Sequence, residues 1–307
     1  MKRNTGLAFY ETMKIRTISG AFYVAVLLIF YLLKIFVNSL CFDVLVYAFA
    51  LIGTFEMMRA VKDKMTRAER AILMVFAFIT VPACAVAELF GYGIATLAIG
   101  AFALAIALLS LLVLDHEQTT VENLGVSLFV SVYPTVLVTV LVLINHIQMP
   151  EALSNLAFNS NLLIPLIFAI SPLTDVFAYL VGCSLKKFFP KKLAPQISPN
   201  KTIVGAIGGL LGGIVAAGLV YVIYGSTVGS LENIGVWLPV FLTIGLLGAV
   251  ATEFGDLVES CIKRKLGIKD MGDIMPGHGG MLDRIDGTMF TAIVVYLAFE
   301  LIFRFFI

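Results

Sequence analysis

The sequence predicts an all-α polytopic membrane protein of about nine transmembrane helices, with its N-terminus in the cytoplasm. Three observations carry this. The chain is 60% hydrophobic, has a mean hydropathy of +1.00 and only 13% charged residues, where a soluble domain carries roughly 25%. Apolar runs of roughly 20 residues, enough to cross a hydrocarbon core, recur from end to end. The basic residues gather in a few stretches and not evenly. A β-barrel is excluded, because barrel strands alternate apolar and polar residues and these runs do not.

The runs place spans at 16–37, 42–60, 70–90, 92–114, 124–146, 161–183, 203–224, 236–259 and 287–307. The third and fourth are separated by a tight Gly91-Tyr92-Gly93 turn. The first follows Lys2, Arg3, Lys14 and Arg16; it is too long for a signal peptide and lacks a small-residue cleavage site, so it reads as a retained span. Nineteen of the 21 basic residues fall in four stretches: the N-terminal arm, the loop RAVKDKMTRAER, the loop after the sixth span and the polar segment after the eighth. Only Lys34 and Arg304 fall outside. With nine spans all four stretches lie on one side, and loops 147–160 and 225–235 on the other side contain no Lys or Arg. Positive residues stay cytoplasmic. The loop DHEQTTVEN (115–123) has no basic residue and contributes nothing to this orientation. The chain divides into N-terminal transmembrane helices (1–150), read as scaffold, and a second half (151–307) that holds the polar chemistry.

Several classes fall away. A net charge of +1 with no basic tail gives no nucleic-acid partner. Cys41, Cys84, Cys183 and Cys261 are scattered, without CxxC, so packing is their expected role. No GxxxxGK[ST] occurs, so a Walker-type nucleotide site is not supported. In the seventh span Gly208/Gly212 and Gly209/Gly213 have the spacing of close helix packing.

The chemistry sits in three places. At the end of the eighth span, ATEFGDLVESCIKRK puts Glu253, Asp256, Ser260 and Lys263 near one helical face, with Glu259 and Arg264 flanking it. An acid inside an apolar span is costly and normally faces a partner or an aqueous cavity; an intrahelical ion network is the plainer reading. Next, KDMGDIMPGHGGMLDRIDG (269–287) holds four aspartates and five glycines. Pro276, Gly277, Gly279 and Gly280 break helix and let backbone approach a ligand. Asp283 and Asp286 share a helical face if the ninth span begins early. Converging carboxylates point to a bound cation, and oxygen ligands suit Mg²⁺ or Ca²⁺. Neighbouring bases then point to an anionic ligand, the pairing used in phosphate chemistry. Third, Asp175 lies inside the sixth span, and Ser198, Lys201 and Thr202 precede the seventh, where a helix N-terminus can bind phosphate; a Ser N-cap and a snorkelling lysine are the plainer reading. Glu56 and Glu88 lie near span ends and read as reaching solvent. Glu300 reads as paired with Arg304.

Together these stretches resemble the phosphatidate cytidylyltransferase (CDP-diacylglycerol synthase) family. Its pattern S-x-x-K-R, K-D, P-G-H-G-G-x-x-D-R-x-D falls on Ser260, Lys263, Arg264, Lys269, Asp270, Pro276, His278, Gly279, Gly280, Asp283, Arg284 and Asp286. The upstream D-x-x-A-Y at Asp175 and L-A-P-x-x-S-P-x-K-T at 193–202 are similar to it as well. Val176 and Val204 depart from the family's usual residues. The resemblance covers about 160–307. It implies CTP + phosphatidate → CDP-diacylglycerol + pyrophosphate, Mg²⁺ with K⁺ as a second metal, a homodimer, and an active-site funnel open to the cytoplasm in a multi-pass protein of the cell membrane. Asp256, Asp283 and Asp286 are the expected catalytic metal ligands. Lys263, Arg264 and Arg284 are expected on phosphates, and Asp175, Ser198, Lys201, Thr202, Ser260, Lys269, His278, Gly279 and Gly280 around the substrates. A cytidylyltransferase acting on another lipid and an ion-coupled transporter are the alternatives; the transporter lacks the matching halves such folds carry.

Overall fold

Ten α-helices and one small hairpin make up the computed structural model, which describes residues 2–147, 160–228 and 234–306, without the side chains of 2–13, 228, 234, 236 and 303–306. The helices are α1 (Lys2–Phe36), α2 (Leu40–Ala60), α3 (Arg67–Glu88), α4 (Gly93–Leu114), α5 (Val121–Val130), α6 (Leu137–Asn145), α7 (Ser160–Leu185), α8 (Ile203–Val228), α9 (Ile234–Leu266) and α10 (Leu282–Phe306). The hairpin strands are β1 (Lys192–Ala194) and β2 (Ser198–Thr202). Among the described residues nine helical segments are long and apolar enough to cross a bilayer, α5 and α6 forming one of them, Val121–Asn145, across a kink at Tyr133. The chain is a polytopic helical membrane protein. Most of loop 147–160 and residues 229–233 of loop 225–235 lie outside the described residues, as does the side chain of Arg304.

Span ends differ from the expected ones for local reasons. The eighth span runs past 259 to Leu266, because Lys263, Arg264 and Lys265 sit in its last turn, where positive charge is favoured, and Gly267 at φ +69° then ends the helix. The ninth begins at Leu282 and not at 287, with Asp283 in its first turn. The Gly91–Gly93 turn holds: Gly91 takes φ +75°. Glu88 is half-buried, and its Oε2 accepts from the Gly93 N–H at 2.8 Å, which caps α4. Glu56 does not reach solvent. Its residue is 2% exposed, and its donors are described below.

The chain separates into two compact units. The first comprises 1–142 and 266–284; the second comprises 143–265 and 285–307. In the first, α1 packs on α2, α2 on α3 and α3 on α4. Thr66 and Glu69 form a reciprocal capping box at the start of α3, satisfying two otherwise orphan N–H groups. Thr54 of α2 and Thr135 of the kink share a buried hydrogen bond of 2.6 Å.

In the second unit α8 lies against α7 and α9 at backbone contact. A Cβ on Gly212 would stand 2.6 Å from the Leu173 carbonyl of α7, and one on Gly213 would stand 2.6 Å from the Gly245 carbonyl of α9. The expected glycine spacing is therefore used for packing, as in other small-residue helix contacts. The hairpin fills the interval before α8, pairing Lys192 with Thr202 and Ala194 with Ser198. Thr202, and not Ser198, caps α8: its Oγ1 accepts from the Gly205 N–H at 3.1 Å.

Gly213→Val is expected to lower unfolding stability by ~1–3 kcal/mol, the usual cost of overpacking, measured as an earlier midpoint in a detergent-denaturation titration. Gly125→Ala, with open space around its Cβ, should leave the midpoint unchanged.

Candidate active site

The expected site residues fall into two groups, one in each unit. Asp175, Ser198, Lys201, Thr202, Asp256, Ser260, Lys263, Arg264 and Asp286 belong to the second unit; Lys269, His278, Gly279, Gly280, Asp283 and Arg284 belong to the first.

In the second unit the side chains converge on Lys201. β2 ends beside the start of α8 and carries Lys201 toward α9, where its ammonium lies 2.8 Å from Glu253 Oε2 and 2.5 Å from Asp256 Oδ2. Burial alone would lower the Lys201 pKa. The charges and hydrogen bonds of Asp256 and Glu253 outweigh it and hold the pKa above the ordinary lysine value. One turn further along α9, Ser260 Oγ donates to Asp256 Oδ1 at 3.4 Å, and Lys263 pairs with Glu259 at 2.9 Å. Arg264 Nε donates to the Ile197 carbonyl at 3.3 Å, tying α9 to the hairpin turn. Asp175 of α7 faces a cavity of about 450 Å³ that Glu253 and Asp256 also line, with Lys186, Lys192 and Lys201 among its basic residues. Asp286 of α10 lies in the field of Asp256 and Lys263, and its carboxyl hydrogen-bonds Glu259.

The donor chemistry of this group fits a divalent cation. Asp175, Glu253, Asp256 and Asp286 act on one another electrostatically, and two carboxyl groups in hydrogen-bond contact, as Asp286 and Glu259 are, must share a proton or a cation. Glu253 Oε1 is buried with no hydrogen-bond partner, the kind of orphan acceptor that an ion or water satisfies. Lys201 is the positive charge that bridges Glu253 and Asp256 in this arrangement. Among the described residues no three His, Cys, Asp or Glu side chains are gathered closely enough to hold a metal outright.

In the first unit the segment 269–284 is a loop held by two carboxylates. Asp283 Oδ2 accepts from the Met271 and Gly280 N–H groups at 2.9 and 2.7 Å. Glu56 of α2 accepts from the Met281 and Leu282 N–H groups, at 2.9 Å each. These are two of the orphan donors at the start of α10, so Glu56 both caps that helix and fixes the loop leading into it. The glycines follow from this grip. A Cβ on Gly280 would stand 2.6 Å from the Glu56 carboxylate, one on Gly279 would stand 2.6 Å from Asp283 Oδ2, and one on Gly272 would collide with Glu56 Oε1. Gly277 and Gly279 also take φ of +75° and +88°, where side chains are strained.

The loop surrounds a cavity of about 630 Å³ lined by Arg16, Lys269, Asp270, His278 and Arg284. Arg284 donates to the His278 carbonyl at 3.0 Å. His278 Nδ1 lies 2.7 Å from Ser19 Oγ of α1. Burial, then the positive charges of Arg284 and Arg16, lower the His278 pKa, so the ring is neutral at physiological pH. Sequence reasoning missed Glu56, Ser19, Arg16, Lys186 and Lys192 as site neighbours. Glu56 had a signal: an acid between Phe55 and Met57 in an apolar run is costly enough to imply a partner. Ser19 had none.

Known proteins bear on this arrangement. The sequence model of the cytidylyltransferase family matches residues 14–302. The chain is 41% identical over 129 residues to a phosphatidate cytidylyltransferase of Thermotoga maritima, covering 42% of this chain and 45% of that protein. It is 43% identical over 136 residues to one from Brucella abortus (43% and 44% covered), and 46% identical over 125 residues to one from Staphylococcus aureus (40% and 43% covered). The chain thus spans under half the length of the curated relatives it matches. The family match extends over nearly the whole chain, including the first spans: this protein belongs to the cytidylyltransferase family.

Proposed function

We propose that the protein is a phosphatidate cytidylyltransferase, joining CTP and phosphatidate to give CDP-diacylglycerol and pyrophosphate in the cell membrane. The observation that carries the reading is the construction of the 269–284 segment. Two carboxylates hold its glycine backbone, leaving Lys269, His278, Arg284 and Arg16 around an open cavity, which is a setting for a polyphosphate. The names of the relatives support the substrate pair. The clustering of the basic stretches supports a cytoplasmic face for this loop, where CTP is available.

A phosphatidate phosphate oxygen attacks the α-phosphorus of CTP. The bond from that phosphorus to the β-phosphate bridging oxygen breaks, and pyrophosphate leaves. The nucleophile is already anionic, so no covalent enzyme intermediate is required, and the protein's task is positioning and charge neutralisation. Lys201 keeps its proton throughout the physiological range and, with Lys186 and Lys192 on the same cavity, supplies positive charge beside the acids. Lys269 and Arg284 do the same on the loop. His278, neutral and held through Nδ1 by Ser19, keeps Nε2 for a hydrogen bond to substrate. Asp256 and Asp286 would hold Mg²⁺, which when bound would neutralise phosphate charge and stabilise the leaving pyrophosphate; Asp283 accepts from the Met271 and Gly280 N–H groups and so fixes the loop.

Purified protein given labelled CTP, Mg²⁺ and a panel of acceptors should form lipid-linked CMP with phosphatidate and not with diacylglycerol or a polyprenyl phosphate. Turnover on the polyprenyl phosphate alone would replace the substrate assignment. Asp256→Asn should lower turnover by ~10²-fold or more, in the range of losing one electrostatic stabiliser, while keeping a normal elution profile; near-normal turnover would remove Asp256 from the site. Glu56→Gln leaves one of the Met281 and Leu282 N–H groups facing an amide donor. Deuterium uptake across 270–282 should then rise ~10-fold in rate, with α7–α8 peptides unchanged.

A further inference from the structure

A cavity of about 510 Å³ opens between the end of α2 and the start of α3, away from the residues used above. Its lining is almost wholly apolar: Phe55, Met58 and Met74, together with the hydrocarbon stems of Arg59, Lys62, Arg67 and Arg70. The sequence gathers these four charges for a reason the proposed reaction does not absorb. The Thr66–Glu69 capping box sets the first turn of α3, and Arg67 and Arg70, three residues apart, then lie toward one side of it. The acids nearby, Asp63, Glu69 and Asp273, are fewer than the bases Arg59, Lys62, Lys64, Arg67 and Arg70. Glu69 is fully buried and used in the cap. Asp273 lies 3.4 Å from Arg59, but both side chains are mostly exposed, at 81% and 62%, so that pair is weak. Phe55 meanwhile stays 55% exposed one helical turn before Arg59.

Both α2 and α3 are long and apolar enough to span a bilayer. Their joined ends therefore lie where hydrocarbon gives way to headgroups. A groove at that level, with an apolar lining and four basic residues contributing their stems to it, matches a lipid's acyl chain and anionic headgroup together. A soluble anion would use the bases and leave Phe55 and Met74 unused; an uncharged lipid would do the reverse. We propose that this groove binds one anionic glycerophospholipid, its phosphate against Lys62, Arg67 and Arg70 and an acyl chain along Phe55 and Met74. Arg59, which also touches Asp273 of the glycine-rich segment, puts the bound headgroup beside that loop. The proposal does not rest on the reaction proposed above, and its test reads binding only.

Trp237 is the chain's one tryptophan. In a Trp237→Phe background, Phe55→Trp places a reporter in the lining of the groove. In bilayers of phosphatidylcholine, brominated phosphatidylglycerol should quench this reporter at least ~5-fold more strongly, at equal mole fraction, than brominated phosphatidylcholine, the preference that even one basic residue gives beside an anionic headgroup. Adding Lys62→Gln, Arg67→Gln and Arg70→Gln should bring the two lipids to parity, whereas Lys186→Gln with Lys187→Gln should not. Equal quenching in the reporter protein, a preference that survives the triple substitution, or its abolition by added inorganic phosphate would each overturn the proposal. Native mass spectrometry of the unsubstituted protein gives the same decision without a reporter: preferential retention of phosphatidylglycerol from an equal mixture supports it, and equal retention overturns it.

Discussion

A carboxylate inside an apolar helix must be given donors or a cation, and the polar architecture of this chain follows from how its buried acids meet that demand. Glu56 shows it most simply. Removed from water near the end of α2, it takes the two N–H groups of Met281 and Leu282. Those N–H groups are themselves unpaired by the helix they begin, so one contact resolves two deficits. It also dictates the sequence of the loop, because Gly272 and Gly280 have no room for a Cβ beside that carboxylate.

The second unit answers the same demand differently. Glu253 and Asp256 share one ammonium, Lys201, delivered by a short hairpin at the mouth of α8. Asp175 and Asp286 add two further carboxyl groups in the electrostatic reach of this cluster. A fully paired network would leave no acceptor free, whereas here Glu253 Oε1 is buried without a hydrogen-bond partner. The glycine contacts of α8 with α7 and α9 bring the three helices to backbone distance and so let acids on separate helices address one lysine.

Much of this was legible in the sequence. The nine spans follow from apolar runs alone, since backbone groups in hydrocarbon leave helices as the solution for such runs. The Gly208–Gly213 spacing gave helix packing, and the clustered acids and bases of α9 and of 269–287 pointed to the residues that line the two cavities. What was not legible depended on tertiary context. Glu56 lies near a span end, and proximity to an end could not reveal that a loop more than two hundred residues away supplies its donors. The hairpin at 192–202 is too short for strand periodicity to register, and with it went the choice of Thr202 over Ser198 as the cap of α8. His278 has a fixed place in the family pattern, but its partner Ser19 is an ordinary residue in an apolar helix, with nothing local to mark it.

Under the proposed function a lipid phosphate oxygen attacks the α-phosphorus of CTP. The most direct measurement supplies phosphatidate carrying ¹⁸O in its phosphate group together with unlabelled CTP, and follows the isotope by mass spectrometry. All of the ¹⁸O is expected to stay in CDP-diacylglycerol, one atom of it in the new phosphate–phosphate bridge, and the released pyrophosphate to carry none. Labelled pyrophosphate, or pyrophosphate released without a lipid-linked product, would contradict it.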